Sequence, residues 1–468
     1  MPHLPKPPLV VRADDPDRDV WIIHGKRYDL RPYLDKHPGG IPALEMARGR
    51  DCTELFESYH SQSDVPARML ARFEIKDPEP EAEAEPKPAP PDEFFEWENT
   101  PFLDALKERS RAYFDSLGGG MRAHKAPPQA LALHALWLLL TAFSFWGFLT
   151  GQYWSLIALP LFYWIGPSNL MHSGAHFSLS VHPRWNRFWS YAGSAMISIF
   201  TWERQHNIGH HAYTNLVGKD PDLNHFSHPY SPMPGFRTHA QQPWLRKYRW
   251  WRFASSFQSW MTTMGPGLLN EPEYLIDAKM ARVVPLRFSS RWRLARHILG
   301  RLLIISICFV YPALAFPLPK AIAFGFLPLG LHGLLYFCFS QVSHINAECF
   351  VDPDVESGER KIEWAELQVR TCKDYEQHSR FWGILSIGLN LQVVHHLFPQ
   401  VDPWHYPALS DIVQETCDEF DIPYRPNKRW WNSFSQMADH LRNLNAPVPA
   451  NQAQEGGSFM LPRGGAED

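Results

Sequence analysis

Hydrophobic and polar positions change rhythm several times along this chain. Val20-Trp21-Ile22-Ile23, then His24-Gly25 and Tyr28, predict a short β-hairpin that turns at glycine. Charged, helix-compatible stretches follow up to about Lys76, which predicts a small soluble α+β module. From Asp77 to Glu93 the chain is acid, proline and alanine without large apolar side chains. Nothing there can build a core, so this segment reads as a semi-stiff, solvated tether. Four apolar runs come next, at 130–150, 153–171, 302–316 and 321–340. Each approaches the ~20 residues that cross a bilayer core. His134 interrupts the first and His332 the fourth; the second has no charge; the third is the shortest, with Pro312 as an expected kink. Only Gly151-Gln152 and residues 317–320 separate the runs of each pair, so four transmembrane helices are expected in two hairpins. Stretches 188–202 and 253–269 are Trp-rich and amphipathic, as in helices lying in a membrane interface.

The expected divisions are 1–76, a tether at 77–97, an all-α membrane domain at 98–444 and a disordered tail at 445–468. Charge orients the membrane part. Residues 236–301 carry twelve Lys/Arg, whereas the short turns carry only Lys320. Positive-inside bias puts that segment and both chain ends on the cytosolic face. The first eleven residues contain no apolar segment of signal-peptide length. A net charge of −4 speaks against a nucleic-acid partner. The six cysteines form no CxxC pair, which speaks against thiolate zinc sites and iron–sulfur clusters.

The candidate chemistry lies in the 23 histidines. His37-Pro-Gly-Gly is followed by His60. Two imidazoles from separate segments can clamp a haem iron from both sides, closing its open position and favouring electron transfer. Residues 8–78 resemble the cytochrome b5 haem-binding domain. The resemblance implies haem b, axial ligands His37 and His60, and an NADH-cytochrome b5 reductase as electron source.

Three further clusters stand out: His172-Ser-Gly-Ala-His176, His206-Asn-Ile-Gly-His210-His211 and Gln392-Val-Val-His395-His396. Histidines four apart on an α-helix share a face, and the added histidine of each doublet can reach a neighbouring metal. So many imidazoles exceed one ion's need, so two metals are expected. Imidazole suits iron, copper and zinc alike. With His344, which follows the fourth apolar run, all of these histidines fall at one membrane face. His182, His225, His228, His239, His378 and His405 read as surface or loop residues, and His134 and His332 as hydrogen-bonded packing residues.

Over residues 98–440 this arrangement resembles the membrane fatty-acyl desaturases. Gln392 opening the third cluster, together with the N-terminal haem domain, resembles the front-end subgroup. The resemblance implies a multi-pass integral membrane enzyme of the endoplasmic reticulum with a cytosolic His-rich cap. It implies two irons, O2 as co-substrate and a fatty-acyl lipid substrate on phospholipid or coenzyme A. By position, the ligands would be His172, His176, His206, His210, His211, His344, His395 and His396, with Gln392 as a weaker ligand or water holder. The wording His176-Phe-Ser-Leu-Ser180 leans towards Δ5 chemistry. Two positions depart from the front-end pattern: Ser173 and Val394 stand where acids are usual, which implies either replacement partners among Glu203, Asp220 and Glu348 or a shifted activity. A sphingoid-base Δ8 desaturase and a b5-fused lipid hydroxylase are the neighbouring alternatives. A non-catalytic, membrane-anchored haem carrier is the alternative outside enzymes.

Overall fold

The computed structural model describes residues 19–76, 94–194, 198–216, 219–224 and 291–444. The tether up to residue 93, the 253–269 stretch, most of the basic segment with His225, His228 and His239, and the tail from 445 lie outside the described residues.

The first module is built on the hairpin. Trp21–Ile23 pairs antiparallel with Lys26–Tyr28 and parallel with Arg50–Asp51. His24 (φ 49°) and Gly25 (φ 70°) supply the two left-handed residues of a tight hairpin turn. Helices Ile41–Ala47, Thr53–Tyr59 and Val65–Leu70 close over the sheet. Trp21, Ile23, Leu30, Leu44 and Leu55 form the core, and Trp21 Nε1 donates to the Leu44 carbonyl at 2.7 Å.

Among the described residues three helices, not four, are long and apolar enough to cross a membrane: Pro128–Leu149, Leu294–Ala315 and Leu318–Ser343. The expected second span is helical but divided into Ser155–Tyr163, a π-helical turn Trp164–Ser168 and Asn169–Ala175. Pro160, Pro167 and Asn169 dilute its apolar character. Proline has no N–H to give, and the ladder widens at the π turn. From Trp164 to Ser168 every residue is buried, so this half faces protein. The third span starts at Leu294, well before residue 302, and the expected kink takes the form of a π turn at Ser306–Val310, just before Pro312. The turns still pair the helices: Gly151 (φ 72°) bends the first connection, and Lys320 stands over the Tyr153, Phe316 and Phe324 rings at 4.8–5.4 Å.

The amphipathic stretch near 188–202 is two elements. Pro183–Ala192 exposes Trp185 and Phe188, while Ile199 and Trp202 on the next helix are buried. A cap packs helices Pro101–Ser116, Trp364–Thr371, Gln392–Leu397 and Tyr406–Glu419 around Phe102, Leu106, Trp364, Val394 and Leu409. Each such side chain contributes about 1.5–3 kcal/mol on leaving water. Glu363 ties the cap together by accepting from the Leu103 N–H at 3.1 Å, at the start of the Pro101–Ser116 helix.

Candidate metal centre

Each histidine cluster is aimed by a local peculiarity of backbone. His172 lies in helix Asn169–Ala175 and His176 ends it. Gly174 between them lets helix Pro183–Ala192 approach, since a Cβ there would stand 2.5 Å from the Asn186 carbonyl oxygen. The second cluster lies in a π-helical segment, Glu203–His210, and not on the α-helical face expected from four-residue spacing. In the widened turn it is His206 and His211, five apart, whose Nε2 atoms meet at 3.0 Å. His210 turns to a different group. Asp374, buried and raised to about 7 by that burial, anchors the third cluster by accepting from the Val393 N–H at 2.7 Å and the Tyr424 hydroxyl at 2.6 Å.

Two adjoining, buried groups result. The ligand atoms of His172, His176, His206 and His395 lie within 4.8 Å of one another. His211 Nε2 joins them, 3.1 Å from His395 Nε2. The second group is His210, His344 and His396, likewise within 4.8 Å. His210 and His344 face each other through Nε2 at 3.3 Å, and the Gln392 amide nitrogen stands 3.0 Å from His344 Nε2. The stacked rings of His211 and His396, 4.2 Å apart, join the groups. All nine sequence-derived candidates therefore converge.

The outer nitrogens show what this arrangement can hold. His176 Nδ1 meets Tyr59 Oη at 2.6 Å, His210 Nδ1 meets Asp220 Oδ2 at 3.1 Å, and His344 Nδ1 meets the Thr371 carbonyl at 3.2 Å. His395 Nδ1 meets Tyr406 Oη at 3.1 Å and His396 Nδ1 meets Gln368 Oε1 at 2.9 Å. With the proton on Nδ1, each Nε2 lone pair faces inward. Burial, then crowding by other imidazoles, holds His206, His211, His395 and His396 well below the usual histidine range, so they are neutral. His210 is the exception: burial opposes its charge, but Asp220 and Asp222 raise it to about 9. His211 Nε2 stands 3.0 Å from that of His206 and 3.1 Å from that of His395, and His172, His176 and His396 Nε2 are buried without a hydrogen-bond partner. Nitrogens each about 2 Å from one cation stand about 3 Å apart. The residues fit bound transition-metal ions.

Of the three carboxylates expected to stand in for the missing acids, Asp220 backs a site histidine, Glu203 pairs with Arg187 and Glu348 with Lys373. Val394 is fully buried in the cap core, and the Ser173 hydroxyl turns to Asn169 at 3.3 Å. Tyr59, Asp222, Gln368, Thr371, Asp374 and Tyr406 escaped the sequence reading. Only Asp222, two residues after the candidate carboxylate Asp220, had a local signal. His332 is hydrogen-bonded to Ser168 at 2.9 Å, as expected, whereas His134 Nδ1 is buried without a partner. His182 and His378 are exposed. His405 is 8% exposed, against the expectation of a surface residue, and meets the Lys125 carbonyl at 3.3 Å.

His37 and His60 face each other with ring centres 6.0 Å apart, the separation of two imidazoles held about 2 Å from one iron. His60 Nδ1 donates to the Phe56 carbonyl at 2.8 Å, leaving Nε2 for a metal. Both line a cavity of about 520 Å³ with Leu30, Leu55, Phe56 and Met69. This mainly apolar slot between two imidazoles suits haem. Its far wall belongs to the second module: Lys125, Phe177 and Gln400. Lys125 Nζ donates to the Phe177 and Gln400 carbonyls, each at 3.0 Å, and burial lowers it to about 7.

Residues 148–428 match the fatty acid desaturase family, and residues 10–79 match the cytochrome b5-like haem/steroid binding domain. Similar proteins include an acyl-lipid omega-13 desaturase of Chlamydomonas reinhardtii, 31% identical over 91% of this chain and 92% of that protein. A probable Delta(5) fatty acid desaturase C of Dictyostelium discoideum is 28% identical over 92% of each chain. An acyl-lipid (8-3)-desaturase of Physcomitrium patens is 30% identical over 91% of this chain and 88% of that protein. Buried histidine clusters, a haem-sized slot beside them and similarity over nearly the whole length agree: the chain belongs to the fatty acid desaturase family and is an oxidoreductase with a cytochrome b5-like domain fused at its N-terminal side.

Proposed function

We propose that this enzyme inserts a cis double bond between an existing double bond and the carboxyl end of a polyunsaturated acyl chain, at the Δ5 position. The observation that carries the reading is the meeting of eight imidazoles in two adjoining buried groups. An unactivated methylene has no acidic hydrogen for a side chain to remove. Bound iron would supply an oxidant derived from O2. His172, His176, His206, His211 and His395 would hold one ion; His210, His344 and His396, with Gln392 beside them, the other. Asp220, Gln368, Thr371 and Tyr406 keep the proton on each outer nitrogen and so aim the lone pairs. The buried cap keeps bulk water away. His37 and His60 would hold haem b, which would supply one-electron transfer, with an NADH-dependent b5 reductase as the electron source.

The Δ5 choice draws support from the names of the Delta(5) relatives and from the His176–Ser180 wording. The three apolar helices and the family support a membrane setting; the basic 236–301 segment, with the divided 155–175 helix returning from the Gly151 turn, supports placing the cap and both ends in the cytosol, and the resemblance supports the endoplasmic reticulum. Family membership sets aside the non-catalytic haem carrier. Expression in a host fed C18–C22 polyunsaturated precursors tests the reading. A product two mass units lighter, with the new bond nearest the carboxyl end, is expected. A product one oxygen heavier would indicate hydroxylation, and no product from any precursor would overturn the proposal.

A further inference from the structure

Tyr59 belongs to the haem module and adjoins His60 in sequence, yet its hydroxyl lies 2.6 Å from Nδ1 of His176 in the histidine centre. The two rings are nearly parallel, 17° apart. Around them the modules interlock. Arg111 Nε donates to the Ser61 carbonyl at 2.7 Å, Gln400 donates to the Ser61 hydroxyl at 2.6 Å, and Lys107 pairs with Glu57. Ile208, between His206 and His210, is packed into the core of the haem module. The haem-sized slot therefore opens on the face that touches the histidine centre.

We propose that Tyr59 is the electronic and positional link between the two redox sites, so that electrons pass in this closed arrangement and not from a haem module swinging on its tether. The inference rests on the reading of haem and iron given above. Tyr59 accepts the His176 Nδ1–H bond and continues through one peptide unit to His60. One electron crosses per event: haem iron goes from ferrous to ferric, one iron at the histidine centre goes from ferric to ferrous, and no proton crosses the Nδ1–H···Oη bond. Tyr59 is thus a positioning residue with a conducting role, and its hydroxyl is the part that matters.

The test uses the full-length enzyme loaded with haem and ferric iron, under anaerobic conditions and without substrate. A photoexcited deazaflavin delivers one electron to the haem, and the haem α-band is followed as it rises and then decays. In the parent protein the decay reports transfer to the histidine centre. Tyr59→Phe keeps the ring and removes the hydroxyl. It is expected to slow the decay about tenfold, the weight of one buried hydrogen bond, with haem spectrum and haem midpoint potential unchanged and the histidine centre filled by saturating ferric iron. A decay at the parent rate would overturn the proposal. Loss of haem from Tyr59→Phe, or a histidine centre that stays empty at saturating ferric iron, would also overturn it, by making Tyr59 a structural residue. If the parent protein itself shows no decay, the two-site reading fails and this inference with it.

Discussion

At the scale of single residues, the site divides into groups that face the metals and groups that hold them in aim. His211 reaches both His206 and His395, and stacks on His396. His211→Ala is expected to leave the haem spectrum intact while abolishing product and lowering non-haem iron; full activity in that variant would sink the site assignment. His37→Ala is expected to remove the haem absorbance and stop turnover for lack of electrons. Asp220 accepts from His210 and also from the Asn215 N–H at 2.7 Å, so Asp220→Asn changes one charge at a fixed position. Iron affinity measured by chelator competition is expected to fall about 10- to 100-fold, as for other partners of metal-bound histidines. The inner residues were legible because histidine is rare and its short spacings carry chemistry. The outer ones were not: Gln368 and Thr371 on one helix and Tyr406 on another have no motif, and Gln368 and Thr371 lie far in sequence from the histidines they back. Val394 shows the converse, since an acid was expected by resemblance and the position is fully buried among apolar side chains.

At the scale of elements, irregular backbone does the aiming. The π-helical Glu203–His210 segment assigns His206 and His211 to one group and His210 to the other. Sequence spacing alone could not show this, because a four-residue interval implies a shared face only while the helix stays α. The miscounted span has a similar origin. Residues 153–171 carry no charge, but the proline-interrupted half is buried in protein and delivers His172. Uncharged sequence marks removal from water, whether into lipid or into a core. Gly174 offers a test at this scale. Its missing Cβ makes room for the Asn186 carbonyl, which would stand at 2.5 Å. Gly174→Ala is expected to cost about 1–3 kcal/mol through overpacking, read as a lower Tm, and to displace the flanking His172 and His176 enough to lower non-haem iron content.

At the scale of the whole molecule, the haem module is a fitted part of the enzyme. Glu57 lies on its docking face beside His24 and Lys107. Burial opposes ionisation of Glu57, but the His24 hydrogen bond and Lys107 outweigh it and hold the carboxyl down at about 2. A folded-state value below the ordinary 4.5 means the contribution is complete above pH 4.5 and fades as pH falls towards 2. Hydrogen exchange in helices Thr53–Tyr59 and Pro101–Ser116 should quicken across that window, and Glu57→Gln should show the faster exchange already at pH 7. Two modules and their order were readable from the sequence, since the histidine-proline-glycine word and the apolar runs fall on either side of an acid- and proline-rich stretch. Their docking was not, because each contact joins residues dozens to hundreds of positions apart. The slot lined by Lys125, Phe177 and Gln400 as well as by His37 and His60 has one more consequence. A guest gripped by both walls adds its binding free energy to the closure of the enzyme. The chain without porphyrin is then the looser chain, its joint between modules more open to proteases.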